Sequence, residues 1–353
     1  MKDVCTGVDV FPLTRGRTLA NAALALPRLA TPLQMAYSHH PKAERRVTDL
    51  ACSGRFDVVH VEHMRGVTLS TGVRDLPVVF DAVDSISALF AQTAKHAPSR
   101  AQRLAARLDL ARSRRFEARA PYFSSRLVVT SAREAEAFVA LGGPLARERI
   151  SIVPNGVDTE YFRPSHTPSR HAVLFTGKLS YHANAAAAIR LVEGIMPIVW
   201  GEFPDVPVIL AGKGPPKRVD ALRRDARVTV TGYVEDMRAV YSHASVAVCP
   251  LVYGAGIQNK VLEALASGLA TVMTVAAADA LSGVPGRDYL TADSDAELAR
   301  AVTGLLRNER ERQRLAEAGR NYVRAHHQWP QLTAQLVRTY EAATHGPRRR
   351  LLH

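Results

Sequence analysis

The sequence has only three cysteines, Cys5, Cys52 and Cys249, and their spacing suits neither a metal site nor a disulfide framework. A reducing compartment, the cytoplasm, is therefore expected. Aromatic residues make up 6% of the chain. No zinc-finger, RRM or basic-zipper pattern is present, which argues against a nucleic-acid partner. No apolar run approaches the roughly 20 residues of a membrane span, and no signal-peptide-like segment follows Met1. Repeats and low-complexity linkers are also missing. Carboxylates are in deficit: 33 acidic against 46 basic residues leave a net charge of +13. Such an excess suits an anionic partner, either a phosphorylated ligand or an anionic membrane.

What is there is apolar and periodic. With 47% hydrophobic residues over 353 positions, the chain can fill two cores. Short β-branched runs alternate with helical patterns, the rhythm of an α/β fold with parallel sheets. In the first half, Val8 to Leu13 reads as a short strand and Thr18 to Leu26 as an alanine-rich helix. Residues 56–63 and 77–85 read as strands that end in polar groups, His63 in one and Asp84 in the other. Strand C-termini are where an open α/β sheet places its site. Helix capping by Asp84 or Ser85 is the plainer alternative. Helices are expected over 86–95 and 100–120. The second carries seven arginines, four of which (Arg100, Arg103, Arg107, Arg114) share one face. That face is either simply solvated or a surface for anionic lipid headgroups. A strand from 126 leads to a helix capped by Ser131 with Glu134 in the capping-box position. Residues 149–153 form a further strand, ending in the turn Pro154-Asn155-Gly156.

The rhythm then restarts, with strands at 172–178, 206–214, 227–234 and 245–251. Each ends close to a glycine: Gly177, Gly212, Gly232 and Gly254. Glycine repeated at strand ends marks a crevice where backbone and ligand approach closely. The last of these units, residues 245–274, is the most informative. A buried strand runs into Gly254 and Gly256, then into the helical pattern QNKVLEALA, closed by Gly268, and then into a second buried strand. A helix N-terminus presents unpaired N–H groups and partial positive charge to an anion. Lys260 lies one turn inside, and Glu263 follows on the same face, about 5 Å further along. A cation for phosphate and a carboxylate for a ribose fit that spacing; an ordinary surface salt bridge fits it too.

The segments VPNGVDTEYFRP, FTGKLSY, VILAGKG, VTVTGYVEDM and GAGIQNKVLEALASG occur in this order. Together they resemble the retaining, nucleotide-sugar-dependent family 4 (group 1) glycosyltransferases of the GT-B fold. The likeness is closest to bacterial exopolysaccharide-type members with a Gly-x-Gly-x-x-x-Lys-x-x-Glu loop. It covers residues 126–340 well and 56–120 more loosely. It implies two Rossmann-like domains facing a crevice: 1–156 on the acceptor side and 157–327 on the donor side. Residues 328–344 would form a helix crossing back to the first domain, and 345–353 a disordered basic tail.

The resemblance also implies roles. Glu263 would hold the donor ribose, and Gly256 would meet the distal phosphate, with Gly177, Gly212, Gly254 and Ile257 around the donor. Lys178 and Lys260 would stabilise the leaving diphosphate. Tyr233 and Val234 would pass the nucleotide base along their backbone. His63, Asp84 and Asn155 fall on the acceptor side, with Asp84 also a candidate for the chemistry. Three positions depart from the pattern: Ala255 replaces the first motif glutamate, Ala183 a lysine, and Val83 an acceptor-side histidine.

The implied reaction moves a sugar from a nucleotide diphosphate sugar to a hydroxyl of a sugar, lipid-linked or polysaccharide acceptor, with retention, no metal and no cofactor. A nucleotide-sugar epimerase, or an impaired paralogue acting as a nucleotide- or membrane-binding subunit, are the alternatives. The expected compartment is the cytoplasm, with peripheral attachment to the inner membrane face if the arginine stripe binds lipid. Residues 1–17 show no strand followed by a glycine-rich loop and helix. The first βαβ unit of the family is thus expected to be lacking, and transfer to be poor.

Overall fold

A computed structural model describes residues 5–25, 31–96, 99–164, 172–253 and 256–346. The basic tail beyond Gly346 and the pair Gly254–Ala255 lie outside them. The chain divides into two compact units. The first holds the chain up to Ala94, Arg100–Val153 and everything from Gln335 on; the second is built from Pro154–Ala334 with the short piece Lys95–Ser99.

The sheet of the first unit has four parallel strands in consecutive order, β1 (Val59–Glu62), β2 (Val78–Asp81), β3 (Arg126–Val129) and β4 (Ile150–Ile152). Val79, Phe80, Leu127 and Val129 are almost fully buried, because helices cover both faces, as parallel sheets require. On one face Phe116 and Phe123 of the helix Arg100–Phe123 pack their rings 5.9 and 5.7 Å from Phe80. On the other, Leu336, Tyr340 and Ala343 of the last helix (Trp329–His345) pack on Val79 and Val128.

Val8 to Leu13 is not a strand. The segment is irregular, with Val10 79% exposed. Pro12 removes a ladder donor from the run, and Asp9 is held instead by Arg46 at 2.8 Å. Helices over Leu33–Ser38, Pro41–Ala51 and His63–Gly66 were not expected. The second of them is primed by Pro41 at its first position and by His40, whose Nδ1 accepts the Ala43 N–H at 3.3 Å.

The second unit carries six parallel strands: β5 (Ala172–Thr176), β6 (Val208–Ala211), β7 (Val228–Gly232), β8 (Ala244–Cys249), β9 (Ala270–Met273) and β10 (Leu290–Thr291). Their spatial order is β10-β9-β8-β5-β6-β7. This is the doubly wound order, in which the winding reverses between β5 and β8 and leaves a crevice at their carboxyl ends. β5 and β8 are buried along their whole length, so both read in the sequence as unbroken apolar runs.

A continuous helix, His182–Glu202, covers one face; its middle turn, Leu191–Ile195, widens to a π-turn just before Pro197. By length and composition it could cross a membrane, contrary to the sequence expectation. Leu191, Ile195, Met196 and Val199 are instead fully buried in the core. Arg190 ties it to Asp295 at 2.6 Å and to the carbonyl of Pro250, just past β8, at 3.3 Å.

Candidate functional site

At the carboxyl ends of β5, β6 and β7 the second unit has a cavity of about 400 Å³, walled by the helix that follows β8. Its lining brings together Gly177, Lys178, Gly212, Tyr233, Val234, Ile257, Lys260 and Glu263 from the sequence reading. Gly256 lies beside it with φ +64°, and Gly254 is outside the described residues.

Two glycines shape the floor. Gly177 (φ +148°) and Gly212 (φ +153°) follow β5 and β6 in conformations that side chains rarely adopt. A Cβ on Gly212 would sit 1.7 Å from the Gly177 carbonyl oxygen. The two backbones therefore touch, and the cavity floor is main chain.

The wall is the helix Asn259–Ala266. It begins after Gln258, whose side chain does not cap it, so its first N–H groups have no side-chain cap to compete with an incoming anion. It ends in a left-handed Gly268 (φ +73°), where the Leu269 N–H returns to the Ala264 carbonyl at 3.0 Å.

Lys260 and Glu263 share this helix but not a common partner. The Lys260 ammonium donates to Asn184 Oδ1 at 2.9 Å and to Gln258 Oε1 at 3.0 Å, above the Phe175 ring. Asn184 in turn donates to the Lys178 carbonyl at 3.1 Å. Burial pushes the Lys260 ammonium below the ordinary lysine range, against the pull of Cys249 and Glu263. The Glu263 carboxylate accepts the Tyr241 hydroxyl at 2.8 Å, and that hydroxyl lies 3.1 Å from Thr176 Oγ1. Burial pushes Glu263 up, opposed by Tyr241 and Lys260. The hydrogen bonds of this half-buried ammonium go only to neutral amides, so an anionic ligand would add to the negative charge that Glu263 supplies from the same helix. Lys178 and Lys213 stand exposed on the same lining.

The sequence reading missed Asn184, Tyr241, Gln258 and Lys213. Asn184 had a signal, as the one amide in the alanine-rich turn HANAAAAIR; Tyr241 had none.

Asn155 was expected on the acceptor side. It belongs to the second unit, where its amide donates to Asn259 of the cavity wall at 2.9 Å and its carbonyl accepts from His327 at 2.8 Å.

His63 and Asp84 lie in the first unit, just beyond the paired strands β1 and β2. His63 has φ +62°, and its Nδ1 accepts the Arg65 N–H at 3.2 Å; burial and Arg65 lower its pKa. Val83 has φ +63°, a left-handed conformation that is strained for a β-branched residue. It is pinned by its N–H to Asp81 Oδ1 at 2.9 Å. Ser85, rather than Asp84, caps the following helix, accepting the Ala88 N–H at 3.2 Å.

Two buried carboxylates clamp this turn. Glu117 accepts the Ser87 N–H at 2.9 Å and the Ser85 hydroxyl at 3.1 Å. Glu134 accepts N–H groups from Ser85 at 3.1 Å and Thr130 at 3.0 Å. The second arm of the expected capping box is thus displaced, from Ser131 to Thr130 and Ser85. Burial, with Glu134 and Asp81 nearby, pushes Asp84 up to about 6. Among the described residues no group of three His, Cys, Asp or Glu side chains is placed to hold a metal ion.

Comparisons with known proteins agree on a family. A model described as "Glycosyltransferase Family 4" matches residues 6–161, and one described as "Glycosyl transferases group 1" matches residues 170–308. A curated MMP alpha-(1→4)-mannosyltransferase from Mycolicibacterium hassiacum is 29% identical over 212 residues, 56% of this chain. The match spans about half of that relative, 49% of its length. Sucrose-phosphate synthase from Thermosynechococcus elongatus superposes with a TM-score of 0.68 at 17% identity, over 85% of this chain and 77% of that one. HepE of Anabaena, solved in complex with UDP-glucose, gives 0.63 at 15% identity, over 95% and 98%. At these identities the solved structures establish the fold alone.

Proposed function

The chain belongs to the family 4, group 1 glycosyltransferases, with the GT-B fold, and from that premise we propose that it transfers a glycosyl group from a nucleotide diphosphate sugar to an acceptor hydroxyl. The observation that carries the reading is the cavity at the β5/β8 switch point, where Lys260 and Glu263 line one wall above a floor of bare backbone. The diphosphate is placed at the N-terminus of the helix Asn259–Ala266, against Lys260, with Lys178 and Lys213 at the rim. Glu263, oriented by Tyr241, takes the ribose hydroxyls, and Tyr233 and Val234 flank the base.

In the reaction the bond from the anomeric carbon to the phosphate oxygen breaks, and a bond to the acceptor oxygen forms on the same face, so configuration is retained. The departing phosphate oxygen takes the acceptor proton. The protein's part is electrostatic, since three lysines and a helix terminus stabilise the charge that grows on the diphosphate. Asp84 and His63 are proposed to contact the acceptor, a sugar on a lipid carrier or a growing polysaccharide, and the work is assigned to the cytoplasm.

The test is incubation with a panel of UDP- and GDP-sugars, reading free nucleotide release, with the product anomer assigned by NMR. Release dependent on an added acceptor, with an α-configured product from an α-configured donor, is the expected result. Failure of every nucleotide diphosphate to bind would overturn the assignment.

A further inference from the structure

The helix Arg100–Phe123 keeps five of its seven arginines exposed and turns Arg112 inward, 3.7 Å from Asp109. Both of its carboxylates are turned inward: Asp109 and Glu117 are 3% and 2% exposed. Asp109 accepts the Leu33 N–H at 3.0 Å, while Glu117 serves Ser85 and Ser87. The outward face carries arginine. Arg100, Arg107 and Arg114 repeat every seven residues, which keeps them on one side of the helix, and all three are exposed. Among the described residues none of the three has a carboxylate partner.

Beside this stripe stand Leu104 and Leu108, one turn apart and 59% and 64% exposed. Leu24 of the neighbouring helix Arg15–Ala25 is 70% exposed, and it borders the same groove as Arg119.

A face used only for solvation has no need of two exposed leucines beside its arginines. A second copy of the chain would set arginine against arginine. A nucleic acid would satisfy the cations and leave the leucines in water. An anionic lipid surface matches both, since headgroup phosphates meet the arginines while the acyl boundary takes up the leucines. We propose that this helix lies flat on an anionic bilayer, with Leu104 and Leu108 dipped below the headgroups and Arg100, Arg107 and Arg114 among the phosphates. The proposal is independent of sugar transfer.

The test is co-sedimentation of the full chain with vesicles of 1:1 phosphatidylglycerol and phosphatidylcholine, or of phosphatidylcholine alone, at low and high salt. Binding is expected to the anionic vesicles, and to weaken with salt. The triple variant Arg100→Gln, Arg107→Gln, Arg114→Gln is expected to lose roughly a hundredfold in partitioning, about fivefold per charge. Leu104→Ser with Leu108→Ser is expected to lose about tenfold at unchanged charge. As a readout that does not depend on these variants, a polarity-sensitive fluorophore on Leu104→Cys, in a Cys5→Ser, Cys52→Ser background, is expected to shift to the blue on anionic vesicles. Absence of binding at low salt, an unshifted fluorophore, or leucine variants that bind like the parent chain would each overturn the proposal. So would a leucine-dependent dimer in velocity sedimentation without vesicle binding.

Discussion

Both units leave strands through residues at positive φ, but they use opposite materials. In the second unit, β5, β6 and β7 are left through Gly177, Gly212 and Gly232, all at positive φ. In the first unit, β1 and β2 are left through His63 and Val83, also at positive φ, where a side chain is strained. The second unit thus obtains close backbone approach without strain. After β2, the first unit fixes the segment that follows the strained Val83 with two buried carboxylates, Glu117 and Glu134. The difference fits the chemistry proposed for each: a diphosphate needs bare main chain, whereas an acceptor needs side chains that discriminate.

Substitutions at these turns should separate the two designs. The largest effect is expected at Gly212→Ala, because the new methyl meets the Gly177 backbone rather than a side chain that could move. A loss of more than ~3 kcal/mol in stability, with loss of nucleotide binding, is expected in thermal unfolding and calorimetric titration. If Gly212→Ala were tolerated, the floor would not be as tightly built as this comparison requires.

Next in size is Asp84→Asn. Burial raises the folded-state pKa of Asp84 from 3.8 to about 6, so between those values the folded chain binds more protons than the unfolded one. Stability from this group is complete below about pH 4 and is lost as pH rises through 6. Asparagine removes that loss. The variant is expected to match the parent at pH 4 and to exceed it at pH 8 by at most ~3 kcal/mol. Parallel melting curves at the two pH values would mean that Asp84 is not strained by its surroundings.

The smallest effect is expected at Val83→Gly. Relief of the left-handed valine, less the entropy cost of glycine, should stabilise the chain by about 1 kcal/mol. A matching fall in transfer rate, with nucleotide affinity unchanged, would place the strain at the acceptor side. Destabilisation by glycine would mean that the valine side chain contributes more by packing than the turn costs.

The second unit was the more legible in the sequence, for a physical reason. Its central strands β5 and β8 are buried on both faces, so they read as unbroken apolar runs, and Gly177, Gly212 and Gly232 stand at strand ends with positive φ. The spacing Lys260 to Glu263 on a helix behind a glycine loop was enough to place both on one cavity wall. The partners that orient them, Asn184 and Tyr241, come from other elements 76 and 22 residues away, and no local pattern encodes such a contact. In the first unit, Val8 to Leu13 has the composition of a strand but contains Pro12, and it finds no ladder. The helix Pro41–Ala51 carries its start signal in Pro41. Strain at Val83 left no trace at all, since a valine after a strand looks ordinary in sequence and only the backbone shows its conformation.

In this reading the second unit holds the nucleotide diphosphate at the N-terminus of the helix Asn259–Ala266, against Lys260, with Glu263 on the ribose. Calorimetric titration of UDP and GDP into the parent chain, Lys260→Ala and Glu263→Ala tests it most directly. Charged hydrogen bonds of this kind are worth about 1.5–3 kcal/mol, so affinity for the preferred nucleotide should fall roughly ten- to a hundredfold in each variant, with little change in melting temperature. Unchanged affinity in both variants would contradict the account.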